Sequence, residues 1–324
     1  MKASKQGAAI FVLSLIVAVF IGPANGQDYP SRPVTIVVPF PPGGGTDIVA
    51  RLLAAEFSQK LGRQFVVENR SGASGNIGTA SVARAEPDGH TLVVGTPYPL
   101  LLNKLMSTNL PYDPEADLTP VAMLGKQPHI LATRPNSPYK NLKDVTTRAK
   151  EQPGTISSGI PGIGTTSHLV IESLLNRVGG KMVIVPYRGT TPVADILNGA
   201  IDISVSFTSS YVALIKSGGL HAIAVSTERR SDQLPEVPTI QELGYPDFEV
   251  SAWTVLSAPA GTPKTIIDTL NRHANELLKD DRWVNKLREL DVQVQTASAA
   301  EVKAFIELEH KRYASIIKAA NIKM

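Results

Sequence analysis

The chain has 324 residues, with 32 Lys+Arg against 29 Asp+Glu and no cysteine. Disulfides, thiolate metal sites and a cysteine nucleophile are excluded. The formal net charge of +3 is too small for a nucleic-acid footprint, and no basic stretch concentrates it.

Lys2 and Lys5 precede an apolar, small-residue run from Ala8 to Ile21, and Ala24-Asn25-Gly26 forms a small-residue cleavage site. The run is shorter than the ~20 residues of a membrane span. No cysteine follows it, so a lipid anchor is excluded. The expectation is an exported periplasmic chain cleaved near Gly26/Gln27. Without Lys2 and Lys5 the 32 basic residues become 30 against 29 acids, a net charge of +1. What remains is long enough for two domains.

From there, short β-branched runs alternate with helical patterns, the signature of mainly parallel sheets flanked by helices. Strands are predicted at Val34–Val38, Gln64–Glu68 and Thr91–Val94, with helices at Thr46–Leu61 and Gly75–Ala85. A second series begins after Pro135. Asn141-Leu-Lys-Asp144 is a capping-type start for a helix to Lys150. Strands at Thr155–Ser158, Met182–Pro186, Ile201–Val205 and His221–Val225 then enclose helices at Thr165–Arg177, Pro192–Asn198 and Ser209–Lys216. Thr262-Pro263 reads as an N-cap with Pro at N1, opening a helix to Lys279. Ser298-Ala-Ala-Glu301 is a capping box for a last helix ending near Ala320, with Val302, Phe305, Ile306, Tyr313, Ile316 and Ile317 on one stripe. Two α/β domains with crossings near Pro128–Pro135 and Tyr245–Ser257 place a ligand in the crevice at the strands' carboxyl ends.

Three glycine-rich turns follow strands. In Phe40–Asp47, a β-branched strand breaks into Pro-Pro-Gly-Gly-Gly-Thr-Asp and then a helix. Gly43, Gly44 and Gly45 let a ligand approach the backbone, and the helix dipole favours an anion there. No Gly-Lys-Ser/Thr follows, so the guest is smaller than a nucleoside triphosphate, such as a carboxylate. Asp47 sits in the first helical turn, where the dipole favours an acid with or without a ligand. The second turn, Asn69–Gly78, spaces Gly72, Gly75 and Gly78 by three, which does not match the dinucleotide fingerprint G-x-G-x-x-G. Ser71, Ala73 and Ser74 could line the crevice, whereas Gly78 reads equally as a structural turn. The third turn, Ser157–His168, mirrors the first in the second domain. Two helix N-termini facing each other would hold a carboxylate through N–H donors alone.

No catalytic constellation emerges. Ser167 and His168 are adjacent, hence about 100° apart on a helix, a poor nucleophile–base pair. No G-x-S-x-G elbow exists. His168 reads instead as a capping or pocket-wall residue. The six histidines lack metal-ligand spacing. Tyr187 offers a flat wall. Arg188 reads either as a carboxylate fork or as an ion-pair partner between the domains.

Several stretches together resemble one family: Tyr29-Pro-Ser-Arg-Pro33, Pro39–Asp47, Glu68–Thr79, Pro87-Asp-Gly-His-Thr91, Leu110-Pro-Tyr-Asp-Pro114, Val185-Pro-Tyr-Arg-Gly189, Leu234-Pro-Glu-Val-Pro-Thr239 and Pro259-Ala-Gly-Thr-Pro263. In this order they are similar to the periplasmic solute receptors of tripartite tricarboxylate transporters, the Bug family. The resemblance implies a two-lobed, Venus-flytrap binding protein of type II, with residues 27–127 plus 247–324 in lobe 1 and 128–246 in lobe 2. It implies a small organic acid as ligand, no cofactor and no metal, a monomer, and delivery to one large and one small membrane subunit. Carried over, the ligand-binding loops are Phe40–Asp47, Ser71–Gly75 and Gly164, Thr165, Thr166 and His168, with Thr96 and Tyr187–Gly189 nearby.

Two departures from the family pattern bear on the ligand. After Gly95-Thr96 the chain carries Pro97-Tyr98-Pro99 where small residues and a His are usual. Four residues after Asp202, Ser206 stands where an Asp is usual, followed by Phe207. A pocket lined by Tyr98 and Ser206 would have lost an acid and gained an aromatic wall. The expected ligand is an aromatic or elongated mono- or dicarboxylate without an amino group. A ligand sensor feeding a membrane kinase and a periplasmic hydrolase are the competing readings.

Overall fold

The computed structural model describes residues 29–107, 109–187 and 191–322. The expected leader and Arg188 lie outside these residues.

The first series is β1 (Val34–Val38), α1 (Gly45–Leu61), β2 (Phe65–Asn69), α2 (Asn76–Ala83), β3 (Thr91–Gly95), a wide turn at Tyr98–Leu102 running into α3 (Asn103–Met106), and β4 (Leu118–Gln127). The second is β5 (His129–Thr133), α4 (Leu142–Glu151), β6 (Ser157–Ile160), α5 (Thr166–Val178), β7 (Val183–Pro186), α6 (Val193–Asn198), β8 (Ile203–Phe207), α7 (Val212–Lys216) and β9 (His221–Val225). The chain then returns through β10 (Ala252–Pro259), α8 (Lys264–Leu277), α9 (Asp281–Glu289) and α10 (Ala299–Ala319).

These form two five-stranded sheets of the same design, ordered β2-β1-β3-β10-β4 and β7-β6-β8-β5-β9. In each, four strands run one way. The fifth, β10 or β5, is antiparallel to both neighbours. Each sheet is thus mainly parallel in direction, with one reversed strand that the sequence did not announce. Both expected crossings shrink accordingly: β5 occupies most of Pro128–Pro135 and β10 much of Tyr245–Ser257. The first crossing is Pro128 alone, between β4 and β5. The second lies at Val250–Ser251, beside it. Ser226 joins the two: its hydroxyl accepts from His129 N–H at 3.1 Å and donates to Val250 O at 2.6 Å.

Alternation along β1 explains the packing. Val34, Ile36 and Val38 bury against α1, α8 and α9 through Leu53, Phe57, Leu270 and Trp283. Val37 faces the opposite core, which continues to the second sheet through Leu131 and Ile203 and to α5 through Leu169. Helix α10 packs on both β4 and α5, with Val302, Tyr313, Ile316 and Ile317 buried. Its stripe also holds Glu309, an acid with no exposed surface, paired to Arg312. Both capping boxes form, at Asn141/Asp144 and Ser298/Glu301. The Thr262 cap does not: its hydroxyl donates to Pro259 O at 2.8 Å, and Pro263 is the N-cap of α8. Among the described residues no helix is long and apolar enough to cross a membrane.

Candidate functional site

β1 pairs with β2 on one side and β3 on the other, and β6 pairs likewise with β7 and β8. The connections leaving β1 and β6 therefore start at the point where strand order reverses, and a crevice opens there at the strands' carboxyl ends. Those connections are the first and third glycine loops. A cavity of about 510 Å³ lies between the sheets. Phe40, Gly45, Thr46, Ile48, Thr96, Tyr98 and Gln127 line it from the first. Phe207 and Ser209 line it from the second, and Ala252, Glu289 and Leu290 close its edge.

The first loop is held by Asp47. This carboxylate is 3 % exposed and accepts from Gly43 N–H (2.9 Å), Arg51 Nε (2.9 Å) and Asn69 Nδ2 (2.9 Å). Asn69 Nδ2 also donates to Phe40 O at 3.1 Å, tying the end of β2 to the loop. Burial pushes the Asp47 carboxyl up, but the bonds from Arg51, Gly43 and Asn69 outweigh it and hold the group below the usual range. Asp47 thus fastens the loop and does not face the cavity. Gly43 has φ +86°, which favours glycine. Gly44 has φ −77°, open to any residue, and a Cβ there meets nothing closer than Pro41 O at 3.9 Å. Of the three glycines Gly45 is the one in the lining, and a Cβ there would stand 3.6 Å from Gln127 Nε2 on the cavity wall. No side chain caps α1, whose first residues Gly45 and Thr46 open onto the cavity.

The mirror loop behaves differently. Thr165 caps α5, its hydroxyl accepting from His168 N–H at 3.2 Å. Thr165 N–H donates to Gly162 O at 3.3 Å. Gly164 N–H donates to His168 Nδ1 at 3.1 Å, which puts the imidazole proton on Nε2, 3.3 Å from Glu172. Thr166 N–H donates to the hydroxyl of Tyr98, which reaches across from the first sheet, at 3.2 Å. Thr166 Oγ1 shares a hydrogen bond with His129 Nε2 at 2.9 Å, and His129 stacks on Phe207 with centroids 4.8 Å apart. The expected pair of open helix ends is therefore a single one. Gly164, Thr165, Thr166 and His168 are spent on each other and on Tyr98.

Other expected residues divide similarly. Phe40, Gly45, Thr96 and Tyr98 line the cavity, and Thr96 Oγ1 is buried without a partner among the described residues. Ser71, Ala73 and Ser74 are exposed in a turn with positive φ at Ala73 and Ser74, outside the lining. At the glycine closing that turn, Gly75, a Cβ would stand 3.2 Å from Pro99 Cγ and 3.4 Å from the Phe40 ring. Gly78 is structural: a Cβ there would fall 2.6 Å from Arg70 O. The Tyr187 hydroxyl donates to Asp195 on α6, away from the lining. Ser206 is buried and absent from the lining, because strand alternation turns the next residue, Phe207, into the cavity instead.

Gln127, Ile48, Ala252, Glu289 and Leu290 were not anticipated. Glu289 is an exposed acid at the cavity's edge. A further cavity of about 560 Å³ lies beside α10 and touches none of the loops. Among the described residues no cluster of His, Asp or Glu could hold a metal ion.

A model of the tripartite tricarboxylate transporter family receptor matches residues 49–322. Protein BugT of Bordetella pertussis is 35 % identical over 318 residues, 98 % of each chain. Two solved structures from Rhodopseudomonas palustris are similar. One, with adipate, is 35 % identical at TM-score 0.77, covering 91 % of this chain and 99 % of that one. The other, MatC with bound malate, is 32 % identical at TM-score 0.71, covering 89 % and 100 %. The chain therefore belongs to the tripartite tricarboxylate transporter family of receptors, two-lobed periplasmic solute-binding proteins and not enzymes.

Proposed function

We propose that this receptor captures an organic acid with an aromatic or elongated apolar body in the 510 Å³ cavity, its carboxylate on the N-terminus of α1. The observation that carries this reading is an uncapped helix start, Gly45 and Thr46, opening on a space walled by the rings of Phe40, Tyr98 and Phe207. Backbone N–H groups at a helix start favour an anion, and Thr96 Oγ1 and Gln127 Nε2 stand on the same wall. The aromatic rings supply apolar contact for the rest of the ligand. Two relatives hold organic acids, adipate and malate.

The chain is exported with a leader removed near Gly26, works as a monomer, and hands its ligand to a large and a small membrane subunit. Its lobes, expected as residues 27–127 plus 247–324 and 128–246, turn about Pro128 and, four residues beyond the expected boundary, about Val250–Ser251. Ligand touching both lobes stabilises the closed form by its differential affinity for it.

A thermal-shift screen of the mature protein against amino, aliphatic and aromatic carboxylates tests this. A ligand at 100 times its Kd adds about 2.7 kcal/mol to stability. Shifts with aromatic or long-chain acids are expected. Silence across the panel from folded protein, or shifts with amino acids alone, would overturn the reading.

A further inference from the structure

The two sheets have the same strand order, yet only one of the two equivalent helix starts is open. At α5 the N–H of Thr166 already has an acceptor, the hydroxyl of Tyr98, 3.2 Å away. Tyr98 belongs to the turn after β3, in the other sheet, and its ring also lines the cavity. The same side chain is thus a wall of the ligand space and the occupant of the second anion position. Around it Thr165 Oγ1 and His168 Nδ1 take two more N–H groups of that loop, and His129 holds the Thr166 hydroxyl.

We infer that Tyr98 determines specificity, making this a receptor for acids with one carboxylate. The inference rests on the carboxylate site proposed at α1. A ligand bound there by one carboxylate places its apolar body against Phe40, Tyr98 and Phe207. A ligand with a second carboxylate at its far end meets the Tyr98 ring and an N–H already engaged. It must displace the hydroxyl from Thr166, or bury a charge without a partner, and both weaken binding. The neutral phenol satisfies the α5 end in place of the ligand's second head.

The test uses matched pairs, benzoate with terephthalate and hexanoate with adipate, titrated calorimetrically into the wild type, Tyr98→Phe and Tyr98→Ala. The wild type is expected to bind the monoacid of at least one pair about tenfold or more tighter than the diacid. Tyr98→Phe keeps the ring and frees Thr166 N–H. Tyr98→Ala also opens the space. Both should shrink the monoacid preference, Tyr98→Ala by about tenfold or more, while Tyr98→Ala weakens benzoate through the lost wall. A wild type that binds diacids as tightly as monoacids overturns the inference. So does an unchanged ratio in Tyr98→Phe, which decides the matter if Tyr98→Ala does not fold. A wild type that binds none of the four acids, nor any other carboxylate, removes the α1 site itself and this inference with it.

Discussion

Asp47 is the residue whose loss separates holding a site from lining it. Asp47→Ala removes an acceptor from Gly43 N–H, Arg51 Nε and Asn69 Nδ2. The Arg51 side chain is 52 % exposed, so water replaces the carboxylate there and the loss is under about 1 kcal/mol. Asn69 Nδ2 keeps Phe40 O. The exposed Gly43 N–H loses a charged acceptor whose own end is buried, worth about 1.5–3 kcal/mol. The sum is roughly 2–4 kcal/mol, a fall in Tm of roughly 3–6 °C for a chain of this size. The functional effect comes through the loop. Without its fastening, Gly43 is free to leave φ +86°, and the α1 start no longer stands ready for a carboxylate. Ligand affinity should fall about tenfold or more although Asp47 touches no ligand. Calorimetric titration beside a melting curve reads both quantities. A variant with the lowered Tm and unchanged affinity would refute the view that Asp47 shapes the site.

The neighbouring glycines make a paired prediction. Gly45→Val puts a branched side chain at the cavity wall beside Gln127 and should abolish binding, whereas Gly44→Val points into open space and should bind as the wild type does; equal losses in titrations of both would mean the contact surface is elsewhere. Two buried groups make a pH prediction of opposite signs. Burial pushes His129 down to about 3, so its folded form resists protonation. Stability is whole above pH 6.5 and falls by up to about 1.4 kcal/mol per unit as pH drops from there towards 3. Burial, then the neighbouring Asp232, pushes Asp291 up to about 6 against the pull of Ser231, the Gln233 backbone and Lys216. Its proton is held more tightly in the folded state, so stability gains as pH falls from 6 towards 3.8. The two slopes offset one another in the wild type between those values. Urea titrations at several pH values should show Asp291→Asn losing stability more steeply on acidification, and His129→Gln less steeply. A wild-type slope retained in both variants would remove either group from the account.

What the sequence disclosed was local. The β-branched run at Val34–Val38 followed by three glycines announces a strand, a turn and a helix within a dozen residues, and all three form. Both capping boxes lie within four residues and form as expected. The reversed strands were missed because their partners are distant. β10 pairs with β3 and β4, more than a hundred residues earlier. β4 carries Pro120 and Gly125, which read as breaks, yet the register shifts opposite Thr254 and Leu256 absorb them. Helix α9 shows only Trp283 and Leu287 as its buried face, too narrow a stripe against Asp, Arg, Asn and Lys to stand out. The unforeseen cavity residues Gln127, Ala252, Glu289 and Leu290 come from or adjoin these elements. The exchange of Ser206 for Phe207 is a different error, one step of strand alternation that a motif position does not encode. His168 takes the first of its two alternatives, a capping role, with partners Gly164 and Glu172 four residues away on each side.

Because the two sheets share one topology, the difference between their helix starts cannot come from the fold and must come from residue choice. At α5 the N-cap is Thr165, which satisfies a backbone donor itself; at α1 it is Gly44, which cannot. Gly44 already has the extended backbone an N-cap requires, φ −77° and ψ 164°, so a serine fits there without strain. Gly44→Ser should therefore stabilise the free protein by a few tenths of a kcal/mol, its hydroxyl accepting from the first-turn N–H groups. The same hydroxyl then competes with the ligand carboxylate for those donors. At a net hydrogen-bond contribution of about 1 kcal/mol, affinity should fall roughly fivefold. Gly44→Val, which cannot accept a hydrogen bond, is the control for bulk. Tm slightly raised and affinity lowered in Gly44→Ser, with Tm lowered and affinity unchanged in the poorer cap Gly44→Val, would show that the open helix end is kept open for the ligand at the expense of stability. Undiminished affinity in Gly44→Ser would mean that the carboxylate is held by other groups, with the α1 N–H donors left to water.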